Sequence, residues 1–179
     1  TGEVFAINTK EFGETVAGSK ELNKYHLNEY LNVLSTNAEA VLVSDNFRIK
    51  LGKKLGDRIT YENAEGNKIE GVIYGFIDYW AGYNPTEQEV SEGEVVTVDN
   101  YLVVAHLSQV QEGFDIRPYQ VWLKANTNDT EFFYTWAREN NYKFTSVESL
   151  GDNLADIRTD TLFQGTNGIL TLSFIIILL

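Results

Sequence analysis

Apolar residues along this chain recur at two spacings. Leu27, Tyr30, Leu31 and Leu34 stand at i, i+3, i+4 and i+7, the period that lines one face of a helix and predicts an amphipathic helix with a buried stripe. Ile59 and Tyr61 alternate with polar neighbours, which predicts a strand with one face covered. "AVLVS" at 40–44 is apolar at nearly every position and rich in β-branched residues, the mark of a strand buried on both faces. "KIEGVIYGFID" predicts a long strand whose interior Gly71 and Gly75 mark a bulge or sharp curvature.

Punctuation fills in the remainder. Asn8 with Glu11 three residues on predicts a capped short helix over 9–16, and Asn128 with Glu131 predicts a second, which would offer Phe132, Phe133 and Trp136 to a core. Ser44 or Asp45 is expected to cap a short helix carrying Phe47, Ile49 and Leu51 up to Gly52. "NAEGN" reads as a turn, and residues 79–93, with Pro85 and two glycines, read as a loop. Strands are expected on either side of Asp99 and Asn100, over 118–125 with Tyr119, Val121 and Leu123 on one face, and at "KFTSV". A short helix is expected at "LSQVQEGF", and a final helix from about Glu148 is expected to lead into the tail.

Helix-bearing segments at both ends thus enclose a β-rich middle. This order predicts an α+β fold: a mixed α/β subdomain formed by 1–55 and 106–168, with a small β-rich subdomain, 56–105, inserted. Residues 169–179 stand apart from that pattern. They carry no charge, and only Thr171 and Ser173 interrupt eleven otherwise apolar positions. A buried strand or core helix is one reading, since crossing a bilayer takes ~20 residues. The run is longer than the usual buried strand of about 4 to 8 residues and follows the entry signal "GTNG", so the preferred reading is the start of a truncated transmembrane helix. Residues 1–168 are then one extracytoplasmic domain, with Gly168, Ile169, Leu170 and Phe174 at the membrane junction.

Composition narrows the chemistry. With 26 acidic against 14 basic residues the net charge is −12, which repels phosphate backbones and argues against nucleic acid as a partner. The absence of cysteine removes disulfides, thiolate nucleophiles and thiolate zinc sites. His26 and His106 have no metal-ligand spacing, and Gly18-Ser19 lacks the second glycine of a nucleophile elbow, so no catalytic, cofactor or metal residue is assigned. Arg48, Lys50, Lys53, Lys54 and Arg58 form a local basic island, read chiefly as complementing helix carbonyls, with an anion site as a lesser alternative. Glu87, Glu89, Glu92 and Glu94 could pair for glycoside cleavage or bind calcium, but a solvated charge run in a loop is the simpler reading. Tyr79, Trp80 and Tyr83 either tuck back as a lid or form a contact patch for a partner or ligand.

Three blocks in order carry a resemblance to a known family. They are "FAINTKEFGETV", where a short strand leads into a turn and Lys10 stands in place of the usual proline; "AVLVSDNFRIKLGKKLGDRITY"; and "FQGTNGILTLSFIIILL". Together they resemble the extracytoplasmic, MacB-like periplasmic core domain of FtsX-like permeases of ABC transporters, over nearly the whole chain. The resemblance implies a non-catalytic domain held outside the cell membrane between two membrane helices, handling substrate or coupling ATP-driven motion to extracytoplasmic partners. It also places the family's first helix and strand before Thr1. The implied partners are a cytoplasmic ABC ATPase subunit, a second permease copy or half, the membrane itself, and a small-molecule, peptide or lipid substrate. A stand-alone extracellular module binding carbohydrate or peptide is the alternative.

Overall fold

The computed structural model describes residues 2–16, 22–91, 94–112, 120–127, 130–149 and 151. The chain divides into two units, Thr1–Lys124 and Ala125–Leu179. In chain order the first holds β1 (Gly2–Ile7), α1 (Thr9–Thr15), α2 (Leu27–Leu34), β2 (Ala40–Ser44), α3 (Asn46–Ile49), β3 (Arg58–Glu62), β4 (Lys68–Ile77), β5 (Thr86–Ser91), β6 (Glu94–Asp99), β7 (Tyr101–His106) and α4 (Leu107–Val110). The described part of the second unit holds α5 (Glu131–Glu139).

The apolar run of β2 sets the architecture. All five of its residues are buried, so it needs a strand on each edge and a cover on each face. β4 lies parallel to it on one edge and β7 antiparallel on the other, giving the sheet order β1-β7-β2-β4-β3. β1 runs parallel to β7, and β3 antiparallel to β4. On one face, the four stripe residues of α2 meet Leu42, Leu102, Val104 and Ile77, with Phe12 of α1 alongside. On the other, Val41, Val43, Ile73, Val103 and Ala105 are covered by Val110 of α4 and Phe47 of α3. Alternation along β2 and β7 therefore supplies both cores from the same strands.

The α+β class expected from the element order is what the structure has: a mixed five-stranded sheet between helices, and a separate two-stranded antiparallel sheet of β5 and β6. The stretch 56–105 serves both sheets. It sends β3, β4 and β7 into the large sheet, because β2 needs partners on both edges, and keeps β5 and β6 for the small one.

The helix ends follow local chemistry. Asn8 caps α1, its Oδ1 accepting from the Glu11 N–H at 3.2 Å, as the spacing predicts. α2 starts with a capping box built on a histidine: His26 Nδ1 accepts from the Asn28 N–H, and Glu29 Oε1 accepts from the His26 N–H. At α3 the expectation fails. The Asp45 carboxylate is engaged by the Arg48 guanidinium at 2.8 Å on both oxygens and makes no cap bond, so the helix is one turn long and leaves Ile49 and Leu51 exposed.

Other expectations are corrected too. β5 lies inside the stretch read as a loop, and Val121 and Leu123 belong to an irregular exposed segment in place of the expected strand. "KFTSV" is likewise irregular. Tyr119, Asn128, nearly all of the helix expected from Glu148, and residues 169–179 lie outside the described residues.

In the second unit α5 forms where expected, but of its side chains only Ala137 is buried, and Phe132 and Trp136 are exposed. Its C-terminus closes as a Schellman motif. Asn141 takes a positive φ of 57°, the Asn141 N–H donates to the Arg138 carbonyl at 3.2 Å, and the Tyr142 N–H to the Ala137 carbonyl at 2.9 Å. The ring of Tyr142 stacks on Trp136 at 5.0 Å, the apolar contact that accompanies this motif.

The two interior glycines of β4 are demanded by contact with β2. The register slips between Val41 and Leu42, leaving Tyr74 as the extra residue of a bulge. A Cβ on Gly71 would stand 2.7 Å from Cγ1 of Val41, and one on Gly75 2.8 Å from Cδ2 of Leu42. Val41 is stiff at χ1 and fully buried, so it cannot turn aside, whereas Leu42 has a second torsion to use. Gly71→Ala is therefore expected to lower stability by about 1–3 kcal/mol, and more than Gly75→Ala does. Urea unfolding monitored by circular dichroism checks both.

Candidate functional site

The aromatic loop after β4 is fastened at both ends. Asn23 Oδ1 accepts from the N–H groups of Asp78 (3.0 Å) and Tyr79 (2.9 Å), and its Nδ2 donates to the Tyr79 carbonyl (3.0 Å). The next four residues turn back on themselves: the Tyr83 N–H donates to the Trp80 carbonyl at 3.1 Å, and Gly82 takes the φ of 81° that the turn's third position needs. This turn sends the three predicted contact residues to different places. Tyr79 is 45% exposed, whereas Trp80 at 3% and Tyr83 at 8% belong to the core beside α2. They do not form one exposed patch.

Trp80 stacks on Phe12 with centroids 5.2 Å apart and planes at 3°, and meets the edge of Phe5 at 5.8 Å. Trp122 completes the cluster, 5.8 Å from Phe5 and 5.6 Å from Phe12. Phe5 and Trp122, with Trp80 and Tyr83, line a recess of about 400 Å³, whose further walls include Leu102 and whose one charged group among the described residues is Glu3.

A knot of polar groups lies behind it, centred on the fully buried Asn100. The Asn100 carbonyl accepts from the Tyr83 hydroxyl at 2.6 Å and from Asn46 Nδ2. Its own N–H donates to the Pro85 carbonyl at 2.9 Å. Its Nδ2 donates to Glu3 Oε1 at 2.5 Å and to Glu87 Oε1 at 3.1 Å, drawing two carboxylates from β1 and β5 onto one nitrogen. Ser44 Oγ donates to Asn46 Oδ1 and accepts from the Leu102 N–H.

Three phenols are held above their ordinary range. Burial is the main cause for Tyr83, with the charges of Glu3 and Asp99 adding and hydrogen bonds to Ser44 and Asn46 opposing. Burial alone raises Tyr61 and is the largest cause for Tyr30, where Asp78 also contributes.

The remaining candidates have structural partners. His26 caps α2, and His106 Nε2 lies 2.7 Å from the Leu34 carbonyl, a bond in which the ring N–H donates. In the basic island, Arg48 pairs with Asp45, Lys50 with Asp99, and Arg58 with Glu39 and Glu70. Glu87, Glu89 and Glu94 stand on a paired hairpin and not on a flexible loop, while Glu92 lies outside the described residues. Among the described residues no group of three His, Asp or Glu could hold a metal ion, and no helix is long and apolar enough to cross a membrane. The junction residues Gly168, Ile169, Leu170 and Phe174 lie outside the described residues.

Comparison with protein-family models, with curated proteins and with solved structures finds no match for this chain. Its site therefore has to be read from its own geometry. The sequence pattern singled out Trp80 and Tyr83 but not Phe5, Phe12, Trp122 or Asn100, which reach the site from other elements through the β1–β7 pairing and the 120–122 segment.

Trp80→Ala removes a buried ring and is expected to cost about 3–5 kcal/mol of stability, whereas Tyr79→Ala is expected to stay within about 0.5 kcal/mol. Denaturant midpoints of the two variants check this. Raised phenol pKa values mean that the folded state holds protons which the unfolded chain releases. That contribution is complete below the unfolded value of about 10 and is lost as pH rises through the folded values. Stability is thus expected to fall above pH ~10, and less steeply in Tyr61→Phe, as urea midpoints across pH 8 to 11.5 would record.

Proposed function

We propose that this chain is the extracytoplasmic domain of an FtsX-like, MacB-like permease of an ABC transporter, and that it is non-catalytic. In this reading ATP is hydrolysed by a separate cytoplasmic subunit, and the domain handles substrate or passes motion to partners outside the cell membrane. The observation that carries it is the run Ile169–Leu179, eleven residues without a charge in a chain of net charge −12. Such a segment is costly to leave in water: at about 25 cal/mol per Å² of apolar surface, each of its leucines and isoleucines favours an apolar setting by roughly 1.5–3 kcal/mol. Lipid satisfies that demand for a segment that follows "GTNG", with Gly168, Ile169, Leu170 and Phe174 at the junction. The α+β body and the net charge of −12 agree with a domain held off anionic headgroups by charge and tethered through its apolar segment.

Flotation with neutral phosphatidylcholine vesicles tests the reading, since zwitterionic lipid removes the electrostatic repulsion. The full chain is expected to float with the vesicles. Ile175→Asp with Ile177→Asp is expected to stay in the dense fraction, because each aspartate in a membrane helix costs about 2.5–3.5 kcal/mol at the centre. If the parent chain also stays at the bottom while circular dichroism shows it folded, the membrane reading fails and the stand-alone binding module takes its place.

A further inference from the structure

The recess beside Trp80 has the build of a ligand site with a definite charge preference. Its volume of about 400 Å³ lies in the range of small-molecule pockets, roughly 300–1,000 Å³. Four aromatic rings wall it: Phe5, Trp80, Tyr83 and Trp122. Its charged lining is the Glu3 carboxylate, and Asn100 Nδ2 brings the Glu87 carboxylate onto the same nitrogen. Among the described residues neither carboxylate has a Lys or Arg partner within ion-pair distance. The sequence from Tyr79 to Ile116 contains no Lys or Arg at all, so the turn, the hairpin and β7 bring no positive charge to the recess.

These features exclude most occupants in turn. An anion would meet the Glu3 carboxylate, with that of Glu87 behind it on the same Asn100 nitrogen and no compensating cation lining the recess among the described residues. A neutral apolar molecule would strip water from Glu3 and give nothing back, which is unfavourable for a carboxylate. A sugar would need a set of fixed donors and acceptors for its hydroxyls, whereas among the described residues Glu3 and Gln120 are the only side chains in the lining, apart from the ring heteroatoms, that could serve. An organic cation meets both demands. Its charge offsets the carboxylates, and its alkyl or planar surface lies against ring faces whose quadrupoles attract it.

We propose that this recess binds an alkylammonium or guanidinium group, with Phe5, Trp80, Tyr83 and Trp122 as its walls and Glu3 and Glu87 as its counter-charge. The group could belong to a free amine or to an arginine side chain of a peptide. The inference does not depend on the membrane reading, because binding is measured on the folded chain whether or not it partitions into lipid.

The test is fluorescence titration of the full chain carrying Trp136→Phe, so that of its three tryptophans only Trp80 and Trp122 report. Choline chloride, argininamide and the uncharged choline isostere 3,3-dimethylbutan-1-ol are titrated separately at constant ionic strength. A saturable change with choline or argininamide, and at least about tenfold weaker binding of the alcohol, is the expected result. Tighter binding of choline than of argininamide assigns the site to a free ammonium compound, and the reverse order assigns it to a peptide side chain. Glu3→Gln, which alters an exposed side chain and keeps an oxygen to accept from Asn100 Nδ2, is expected to weaken cation binding about tenfold with an unchanged thermal melt. The proposal is overturned by the absence of saturation with either cation, by the alcohol binding as tightly as choline, or by Glu3→Gln binding as tightly as the parent.

Discussion

Five consecutive buried residues on β2 impose most of what the first unit does. A strand apolar on both faces must be an interior strand with helices above and below, and each fully buried Val or Leu contributes about 1.5–3 kcal/mol to keeping it there. Meeting that demand brings β4 and β7 to its two edges, one parallel and one antiparallel, and β7 in turn recruits β1. The close approach of Val41 and Leu42 to β4 excludes side chains at Gly71 and Gly75. It also sets the bulge at Tyr74, whose hydroxyl then meets Asn37 Nδ2 at 3.3 Å. Sheet order, glycine placement and strand curvature are consequences of one apolar segment.

The same arrangement explains where the polar knot forms. β2 ends at Ser44 and β7 begins at Tyr101, and because the two run antiparallel these ends lie side by side. Strand ends leave backbone groups without ladder partners, and burial there has to be offset by side chains. Ser44, Asn46 and Asn100 fill that role. Asn100 binds three further elements through its amide and backbone: the loop at Tyr83 and Pro85, β1 at Glu3 and β5 at Glu87. A two-stranded hairpin is marginal in isolation. The bond from Asn100 to Glu87 gives β5 and β6 an anchor to the body of the fold.

Legibility in the sequence followed how local the deciding force was. The stripe of α2, the alternation of β3 and the apolar run of β2 could be read because burial of a face leaves a period in the residues themselves. β5 could not, because "TEQEVS" is polar on both faces and is a strand only by virtue of pairing with β6. The segment around Trp122 misled in phase. Alternation put Tyr119, Val121 and Leu123 on one face, yet Val121 and Leu123 are exposed at 63% and 66%, while Trp122, 39% exposed, makes the ring contacts, with Phe5 and Phe12. α5 was legible as a helix but not in its burial, as its aromatic rings pack on each other and on Tyr142 and Phe144.

The candidate site shows why lid and contact surface were a false choice for the aromatic loop. A ring of indole size can cover a core with one face and present an edge to solvent, because its area exceeds what either task uses. Trp80 gives a face to Phe12 and lines the recess as well. Tyr83 reaches the buried Asn100 carbonyl through its hydroxyl while its ring stands in the wall. A wall whose members are held by the core is rigid before any ligand arrives, so little ordering is left for binding to bring about. In such a site specificity rests on the few charged groups at the mouth. Among the described residues the charge that lines the recess is the Glu3 carboxylate, held by the amide that also ties β1, the hairpin and the loop together.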